Sequence, residues 1–155
     1  MGMAAPVSDG DGPFGEQMRA VTAFKKIALM TMGTAMQKYG QKLTDEQEVL
    51  SWIADILIDT YAAESAVLRA AAAARGGEGT AELQADAART YVNDAAARVE
   101  AAAKQALGAT GEGDVLRTQL AALRRLLKVL PTNTVVSRRR IADAIVARGG
   151  YIFAT

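Results

Sequence analysis

The chain has 155 residues and a mass of 16.3 kDa, and half of its residues are hydrophobic, so it is long enough to form one domain with a buried core. Alanine fills 33 positions and aromatic residues make up 5% of the chain, a composition that indicates an all-α fold. Cysteine and histidine are absent, which excludes disulfides, thiolate chemistry, histidine-dependent triads and the commonest metal ligands.

The net charge of +1 conceals two parts of opposite sign. Residues 1–114 hold 10 basic and 16 acidic side chains, a net charge of −6, whereas residues 115–155 hold 8 basic and 1 acidic, a net charge of +7. The basic residues alternate with Leu, Val and Ile at helical spacing, which favours a basic outer face on folded helices over a nucleic-acid-binding tail. Such a face also suits contact with an acidic surface of another domain.

No segment is predicted to span a membrane, because the longest uncharged run, residues 27–37, has about half of the roughly 20 residues required. Lys25 and Lys26 precede this run but lie too far along the chain for a signal peptide. The sequence therefore predicts a cytoplasmic protein, either soluble or in peripheral contact with a membrane.

Residues 1–15 contain four glycines and two prolines, which predicts a disordered lead-in or the remnant of a linker. Gly10, Gly12 and Gly15 match the spacing of a dinucleotide-binding loop. No strand precedes them and Pro13 interrupts the turn, so nucleotide binding is not predicted there.

The first helix is predicted over residues 16–39, with Gly40 as its C-cap. Its apolar stripe is predicted to comprise Val21, Phe24, Ile27, Ala28, Met32, Ala35 and Met36.

A second, long helix is predicted to begin at a capping box of Thr44 and Gln47 and to end near Arg75. Its apolar stripe is predicted to be Leu50, Ile53, Leu57, Tyr61 and Leu68, and its polar row Glu48, Ser51, Asp55 and Asp59. Val49, Trp52 and Ile56 widen the apolar side. This width indicates contact with at least two neighbours or with a second copy of the chain.

Three further helices are predicted over residues 81–107, 115–129 and 135–148, giving an antiparallel up-and-down bundle of four to five helices. The first of the three has a narrow stripe of small residues and is predicted to be a solvent-exposed outer member. The predicted caps are Thr80 and Asp114 for the first two and Asn133 or Thr134 for the last, and Pro131 and Gly149 are predicted stops. Leu116, Leu120, Leu123, Leu127 and Leu130 are predicted to face inward.

Glu64 is predicted to lie on the apolar side of the second helix, three residues after Tyr61. A general base with a raised pKa is one interpretation. A structural ion pair with an arginine of another helix, or an acid at the edge of the stripe, is favoured because no second catalytic group is evident. No catalytic, cofactor-binding or metal-ligating residue is assigned.

Arg138, Arg139 and Arg140 could form a basic patch with the cations at positions 124, 125 and 128. Three consecutive helical residues point in directions that span about 200°, so they cannot all follow one phosphate track. Arg139 is expected to pair with Asp143. Nucleic-acid binding is therefore the less favoured interpretation.

Four segments are similar to the C-terminal helical domain of very-long-chain acyl-CoA dehydrogenases, over about residues 20–151. They are AMQKYG at 35–40, DEQEVL at 45–50 with IAD at 53–55, YAAESAVLR at 61–69, and NTV at 133–135 with RRIAD at 139–143. Their order and spacing agree with that family.

The resemblance implies a non-catalytic accessory and dimerisation domain, in the form of a fragment of a flavin-dependent fatty acyl-CoA dehydrogenase of β-oxidation. FAD and the catalytic glutamate belong to the dehydrogenase core of that family, and this role is not carried over to Glu64. The implied partners are the core, a partner subunit in a homo-oligomer and, in mitochondrial members, a membrane. The alternative is an independent helical module whose basic C-terminal helices bind lipid headgroups or RNA.

Overall fold

The computed structural model describes residues 12–153, and in this range the chain forms five α-helices, one 3-10 helix and no strand. The elements are α1 (Gly15–Tyr39), a 3-10 helix (Gly40–Asp45), α2 (Gln47–Gly76), α3 (Ala81–Thr110), α4 (Gly113–Leu126) and α5 (Thr134–Arg148). The all-α bundle predicted from the sequence is confirmed. Within the described range, no helix is both long enough and apolar enough to cross a membrane.

Helix α3 lies at the centre of the bundle and contacts each of the other four α-helices. The apolar side chains that it buries are small apart from Leu107, and they comprise Ala85, Ala88, Val92, Ala95, Val99, Ala103 and Ala106. Small side chains allow neighbouring helices to approach closely. The prediction that this helix is an exposed outer member is wrong, because its small residues serve contacts on several sides.

Contacts at both ends of α1 show that α1 and α3 run in the same direction. At one end the Arg89 guanidinium lies over the Phe14 ring, 5.5 Å from its centroid. At the other end the Tyr39 hydroxyl donates to the Ala109 carbonyl oxygen at 3.1 Å. Helix α2, which connects them in the chain, runs in the opposite direction.

Helices α4 and α5 follow one another along α3. The chain reverses after α3, so α4 lies beside the C-terminal half of α3. The Thr132 amide then donates to Asn93 Oδ1 at 3.0 Å, and Ser137 of α5 reaches Asp86, nearer the start of α3. Each helix from α1 to α4 therefore runs antiparallel to the one before it. Helix α5 runs in the same direction as α4.

The core has two clusters of buried side chains. The larger one lies among α1, α2, α3 and α4, where Phe24, Ile27, Ile56, Leu107 and Leu123 are almost fully buried. The smaller one contains Ala35, Val49, Ile53 and Ala106, with Trp52 packed against it. The two clusters follow the length of α1, α2 and α3.

Two predicted helix starts differ from the structure in their capping contacts. Because residues 40–45 form a 3-10 helix, the Thr44 hydroxyl donates to the Gln41 carbonyl at 3.4 Å. The Gln47 side-chain amide donates to the Thr44 carbonyl at 2.6 Å, so the capping box does not form. Thr80 precedes α3 as predicted, but its hydroxyl accepts from the Gln84 side chain at 3.0 Å instead of from the backbone.

Helix α4 begins and ends earlier than predicted. Asp114 lies inside its first turn, where it pairs with Arg117 at 2.9 Å, and is not a capping residue. The helix ends at Leu126, before Pro131 can stop it. Leu130 therefore lies beyond the helix and is 77% exposed, contrary to its predicted inward position.

The caps of α5 and the end of α1 are confirmed. Asn133 Oδ1 accepts from the Val136 amide at 3.2 Å. Gly149 ends α5 with a φ of 73°, a left-handed conformation that glycine adopts without strain. Gly40 follows α1 with a φ of 55°.

The predicted lead-in of residues 1–15 falls mainly outside the described residues, which begin at Gly12. Phe14 is only 4% exposed and packs into the larger core cluster, and α1 begins at Gly15. The packed bundle thus begins before residue 16, because the core takes up the Phe14 ring.

We expect Ala103→Leu to lower the free energy of unfolding by about 2 kcal/mol, because residue 103 is fully buried and a larger side chain would push α3 away from its neighbours. Ala97→Leu, at an exposed position of the same helix, is the control and should change it by less than about 0.5 kcal/mol. Urea unfolding followed by far-UV circular dichroism measures both. Equal effects of the two substitutions would contradict close packing at residue 103.

Candidate functional site

Two rows of residues run along α2, one residue apart in sequence. The inner seam alternates steps of four and three residues, contains Val49, Ile53, Ile56, Thr60, Ala63, Val67 and Ala70, and is buried. The outer seam has the same alternation and contains Leu50, Ala54, Leu57, Tyr61, Glu64 and Leu68. A shift of one residue turns the side chain by about 100° around the helix, so the two seams face different surroundings.

The outer seam is largely exposed. Leu57 is 49% exposed, Tyr61 76% and Leu68 44%. The predicted burial of these three side chains is wrong, because the smaller residues of the inner seam form the contact with the other helices. Asp59, predicted in the polar row, is instead buried at 7% exposure.

Helix α1 extends the exposed apolar area. Leu29 is 74% exposed, and Met36, which the sequence pattern places in the buried stripe, is 58% exposed. Lys25 Nζ and Glu64 Oε1 pair at 2.6 Å and fix the antiparallel register, which brings Leu29 to the level of Tyr61. We call the area formed by Leu29, Met36, Leu57, Tyr61 and Leu68 the outer surface.

Glu64 makes an ion pair of the predicted structural kind, with a lysine in place of an arginine. Its side chain is 31% exposed and lies in the outer seam, between Tyr61 and Leu68. The pair with Lys25 joins α2 to α1. A solvent-accessible ion pair of this kind orients two helices and contributes at most about 1 kcal/mol to stability.

A partly buried polar cluster, centred on the buried carboxylate of Asp59, joins α2 to α3. Arg98 Nη2 donates to Asp59 Oδ1 at 2.7 Å and Arg98 Nε to Asp59 Oδ2 at 3.0 Å, a bidentate arrangement. The Tyr91 hydroxyl donates to Asp59 Oδ1 at 2.9 Å, and the Arg98 guanidinium lies 5.3 Å from the centre of the Tyr91 ring. The carboxylate is therefore held by two side chains of α3.

The cluster shifts the pKa of each of its members. Burial alone would raise the pKa of Asp59, but hydrogen bonds from Arg98 and Tyr91 and the charge of Arg98 lower it below its ordinary value of 3.8. Burial and the hydrogen bond to Asp59 raise the pKa of Tyr91. The hydrogen bond to Asp59 raises the pKa of Arg98. These shifts favour an ionised Asp59, a neutral Tyr91 and a cationic Arg98, which are the charge states that the contact requires.

The basic run of α5 attaches this helix to α3. Arg140 Nη2 pairs with Asp86 Oδ1 at 2.6 Å, and the Ser137 hydroxyl donates to the same oxygen at 3.0 Å. Arg138 pairs with Asp94. Arg139 is exposed and, in the part of the chain that the structure describes, forms no ion pair with Asp143, contrary to prediction. Two of the three arginines thus hold the bundle together.

Sequence patterns did not identify the acidic partners in these contacts, which are Asp59, Asp86 and Asp94. Asp59 sits directly before Thr60 of the inner seam, and Tyr91 and Arg98 are seven residues apart, on one face of α3. That spacing is the signal in the sequence. It identifies the pair on α3 but does not indicate which acid lies opposite.

An open groove of about 520 Å³ lies between α2 and α3 beside this cluster. Its lining includes Trp52, Ile58, Arg98 and Gln105. Trp52 packs against the smaller core cluster on one side and lines this groove on the other, so it is only partly buried.

Comparisons with known proteins agree with this bundle along nearly its whole length. The family model for the C-terminal domain of acyl-CoA dehydrogenase matches residues 23–125. A probable acyl-CoA dehydrogenase of Bacillus subtilis (strain 168) is 42% identical over 151 residues, which are 96% of this chain and 25% of the relative. The crystal structure of an acyl-CoA dehydrogenase complexed with FAD from Bacillus anthracis superposes with a TM-score of 0.88 and 38% identity, again over 96% of this chain and 25% of the other.

The fold is therefore that of an acyl-CoA dehydrogenase C-terminal domain, a helical bundle that makes up about a quarter of the proteins it matches. The chain belongs to this family. The resemblance seen in the four sequence segments is confirmed.

We expect Asp59→Asn to lower the free energy of unfolding by about 1 to 3 kcal/mol near neutral pH, because it weakens two charge-assisted hydrogen bonds. Since the folded-state pKa of Asp59 lies below 3.8, the ionised carboxylate stabilises the fold above that value, and the stabilisation is lost as the pH falls through the folded-state pKa. The difference between wild type and Asp59→Asn should therefore shrink on acidification, as measured by urea unfolding at several pH values.

Asp55→Asn is the matched control for this experiment, because Asp55 is exposed one helical turn earlier on α2. It should change the stability by less than about 0.5 kcal/mol. A difference between wild type and Asp59→Asn that stays constant into strongly acidic solution would contradict the role of the ionised carboxylate.

Proposed function

We propose that this chain acts as a non-catalytic accessory domain of an FAD-dependent fatty acyl-CoA dehydrogenase of β-oxidation. The observation that carries the proposal is the 42% identity to a probable acyl-CoA dehydrogenase over 96% of the chain, as one quarter of that relative's length. The ion pairs of α2, α3 and α5 support it, because Asp59, Asp86 and Asp94 are engaged in contacts that join helices. In this role the bundle packs against other parts of the enzyme and does not contact the reacting atoms.

The outer surface is the part of the bundle that we assign to this packing. It presents large apolar side chains on two neighbouring helices, including Leu29 and Tyr61, which are among the most exposed in the described chain. Contiguous exposed apolar areas commonly mark contacts with protein. Its occupant in the assembled enzyme would be the dehydrogenase core or a partner subunit.

We propose a cytoplasmic location, with the outer surface turned towards protein and not towards lipid. A helix face that binds anionic lipid is bordered by Lys and Arg. The cation Lys25 beside the outer seam is paired with Glu64, and α2 exposes the acids Glu48 and Asp55. These acids would oppose binding to a negatively charged membrane.

In the part of the chain that the structure describes, neither the cavity between α1, α3 and α4 nor the groove beside Trp52 has a lining that fits FAD. The cavity between α1, α3 and α4 measures about 320 Å³ and no aromatic side chain lines it. This volume is at the lower limit of pockets for drug-sized ligands, and a flavin needs an apolar slot for its ring system as well as donors for its pyrophosphate. The groove beside Trp52 is larger but open, and its one cation, Arg98, is occupied by Asp59.

We expect the purified chain to retain no flavin and to show no turnover with palmitoyl-CoA, added FAD and an artificial electron acceptor. The full-length Bacillus subtilis relative, assayed in parallel, is the positive control. Absorbance of the purified chain in the flavin bands measures bound cofactor, and reduction of the acceptor measures turnover. Stoichiometric FAD or turnover by the chain alone would contradict the proposal.

We also expect the isolated chain to form a homo-oligomer, because no described residue of the same copy covers the outer surface. Light scattering at about 100 μM detects association in the micromolar range. The double substitution Leu57→Glu and Tyr61→Glu should return the chain to a monomer. Val146→Glu, at an 80% exposed apolar position on α5, is the control and should leave the association unchanged.

A wild-type chain that remains monomeric at this concentration would contradict self-association through the outer surface. Equal dissociation by Val146→Glu would contradict the assignment to α1 and α2.

A further inference from the structure

A cavity of about 320 Å³ opens between the start of α1, the middle of α3 and the connector that follows α4. The hydrogen bond from the Thr132 amide to Asn93 Oδ1 holds the connector against α3 and so closes one side of the cavity. The apolar part of the lining is formed by Ala20, Val92, Leu126, Val129 and Leu130. The cavity thus has a fixed apolar wall with polar groups around it.

Three cationic side chains line this cavity: Arg19, Arg89 and Lys128. None of them forms an ion pair within the described residues. The Arg89 guanidinium stacks on the ring of Phe14, which orients it. Glu16 is the one acid among the described residues of the lining, and their formal charge is therefore +2.

A largely buried glutamine also lines the cavity. Gln17 is only 7% exposed, and its side chain makes no hydrogen bond with any residue that the structure describes. Its amide is not among the side-chain atoms that are fully buried without a partner, so it remains accessible from the cavity. An accessible amide beside three cations that have no ion pair among the described residues favours a polar, negatively charged ligand.

The position of the cavity at the start of α1 adds to its preference for an anion. The first turn of α1 has no side-chain cap, because Phe14 occupies the capping position. The N-terminal end of a helix carries partial positive charge, and in α1 the Gly15 amide already donates to the Gly12 carbonyl oxygen at 3.1 Å. An anion in the cavity would therefore meet favourable charge from the helix as well as from the side chains.

We propose that this cavity binds a phosphate group, either as the free ion or as the ester of a small molecule. A phosphate monoester carries a charge of about −1.5 to −2 near neutral pH, which matches the +2 charge of the lining. Arg19 and Arg89 offer planar guanidinium groups suited to phosphate oxygens, and Lys128 adds a third cation. The apolar wall, which includes Val92 and Val129, takes the organic part of an ester.

Phenyl phosphate and inorganic phosphate are the probes, and benzoate tests whether a carboxylate binds as well. Each is titrated into the full chain, with NMR chemical shifts and calorimetry as readouts. We expect saturable binding of phenyl phosphate that shifts the side-chain amide signal of Gln17. Tighter binding of phenyl phosphate than of inorganic phosphate identifies an ester as the ligand, and equal binding identifies the free ion.

Arg19→Gln and Lys128→Gln should each weaken phosphate binding about tenfold. Gln17→Leu keeps the side-chain volume and should weaken it about fivefold. The matched controls are Lys26→Gln on α1 and Arg125→Gln on α4, which remove exposed cations that do not line the cavity. They should change the affinity less than about twofold.

The proposal is overturned by the absence of saturable phenyl phosphate binding up to about 10 mM. It is also overturned if the control substitutions weaken binding as much as those in the cavity, because the attraction would then be diffuse. Benzoate binding as tight as phenyl phosphate overturns the assignment to phosphate. Circular dichroism spectra and thermal midpoints that match the wild type show that the variants are folded.

Discussion

Close contact between α2 and α3 is the constraint on which the rest of this bundle depends. Each helix has 30 residues, about 45 Å, and the facing side chains are small, such as Ala63, Ala95 and Ala103. Alanine buries little apolar area, so a contact of this kind gains its stability from close approach over a great length. The ion pair between the buried Asp59 and the half-exposed Arg98 links the two helices at one point of that length, and α1, α4 and α5 pack around the two helices.

The opposite charges of the two parts of the sequence meet inside the domain. Helix α5 buries little except Ser137, and its attachment relies on pairs between its arginines and the acids of α3, of which Asp86 is 4% exposed. An acidic partner domain is one expectation for the basic C-terminal region, but α3 already supplies the acids for Arg138 and Arg140. Part of the charge asymmetry is thus explained inside the domain, because the basic side chains of α5 pair with acidic side chains of α3 and fix the position of the last helix.

Local sequence patterns predicted the boundaries of the helices well, but they predicted poorly which side of each helix is buried. The first helix was bounded to within one residue, and the caps Asn133 and Gly149 were identified, because capping depends on residues close in sequence. The buried side of α2 was misjudged because two seams with the same spacing compete, and the one with larger residues is exposed. The central position of α3 depends on contacts between segments that are distant in sequence, so local patterns do not predict it. The same holds for the burial of Asp59 and Asp86 and for the cavity near Gln17.

The two seams of α2 give neighbouring positions in the chain unequal freedom to vary. Ile56 and Val67 are fully buried, and only side chains of similar volume can replace them. Leu57 and Leu68, one residue later, are partly exposed and are not held to a fixed volume by the bundle. Substitutions at Leu57 and Leu68 could therefore change the exposed surface of α2 while the buried side chains of the bundle stay the same. Within a single turn, the helix thus separates residues that fill the core of the domain from residues that form its exposed surface.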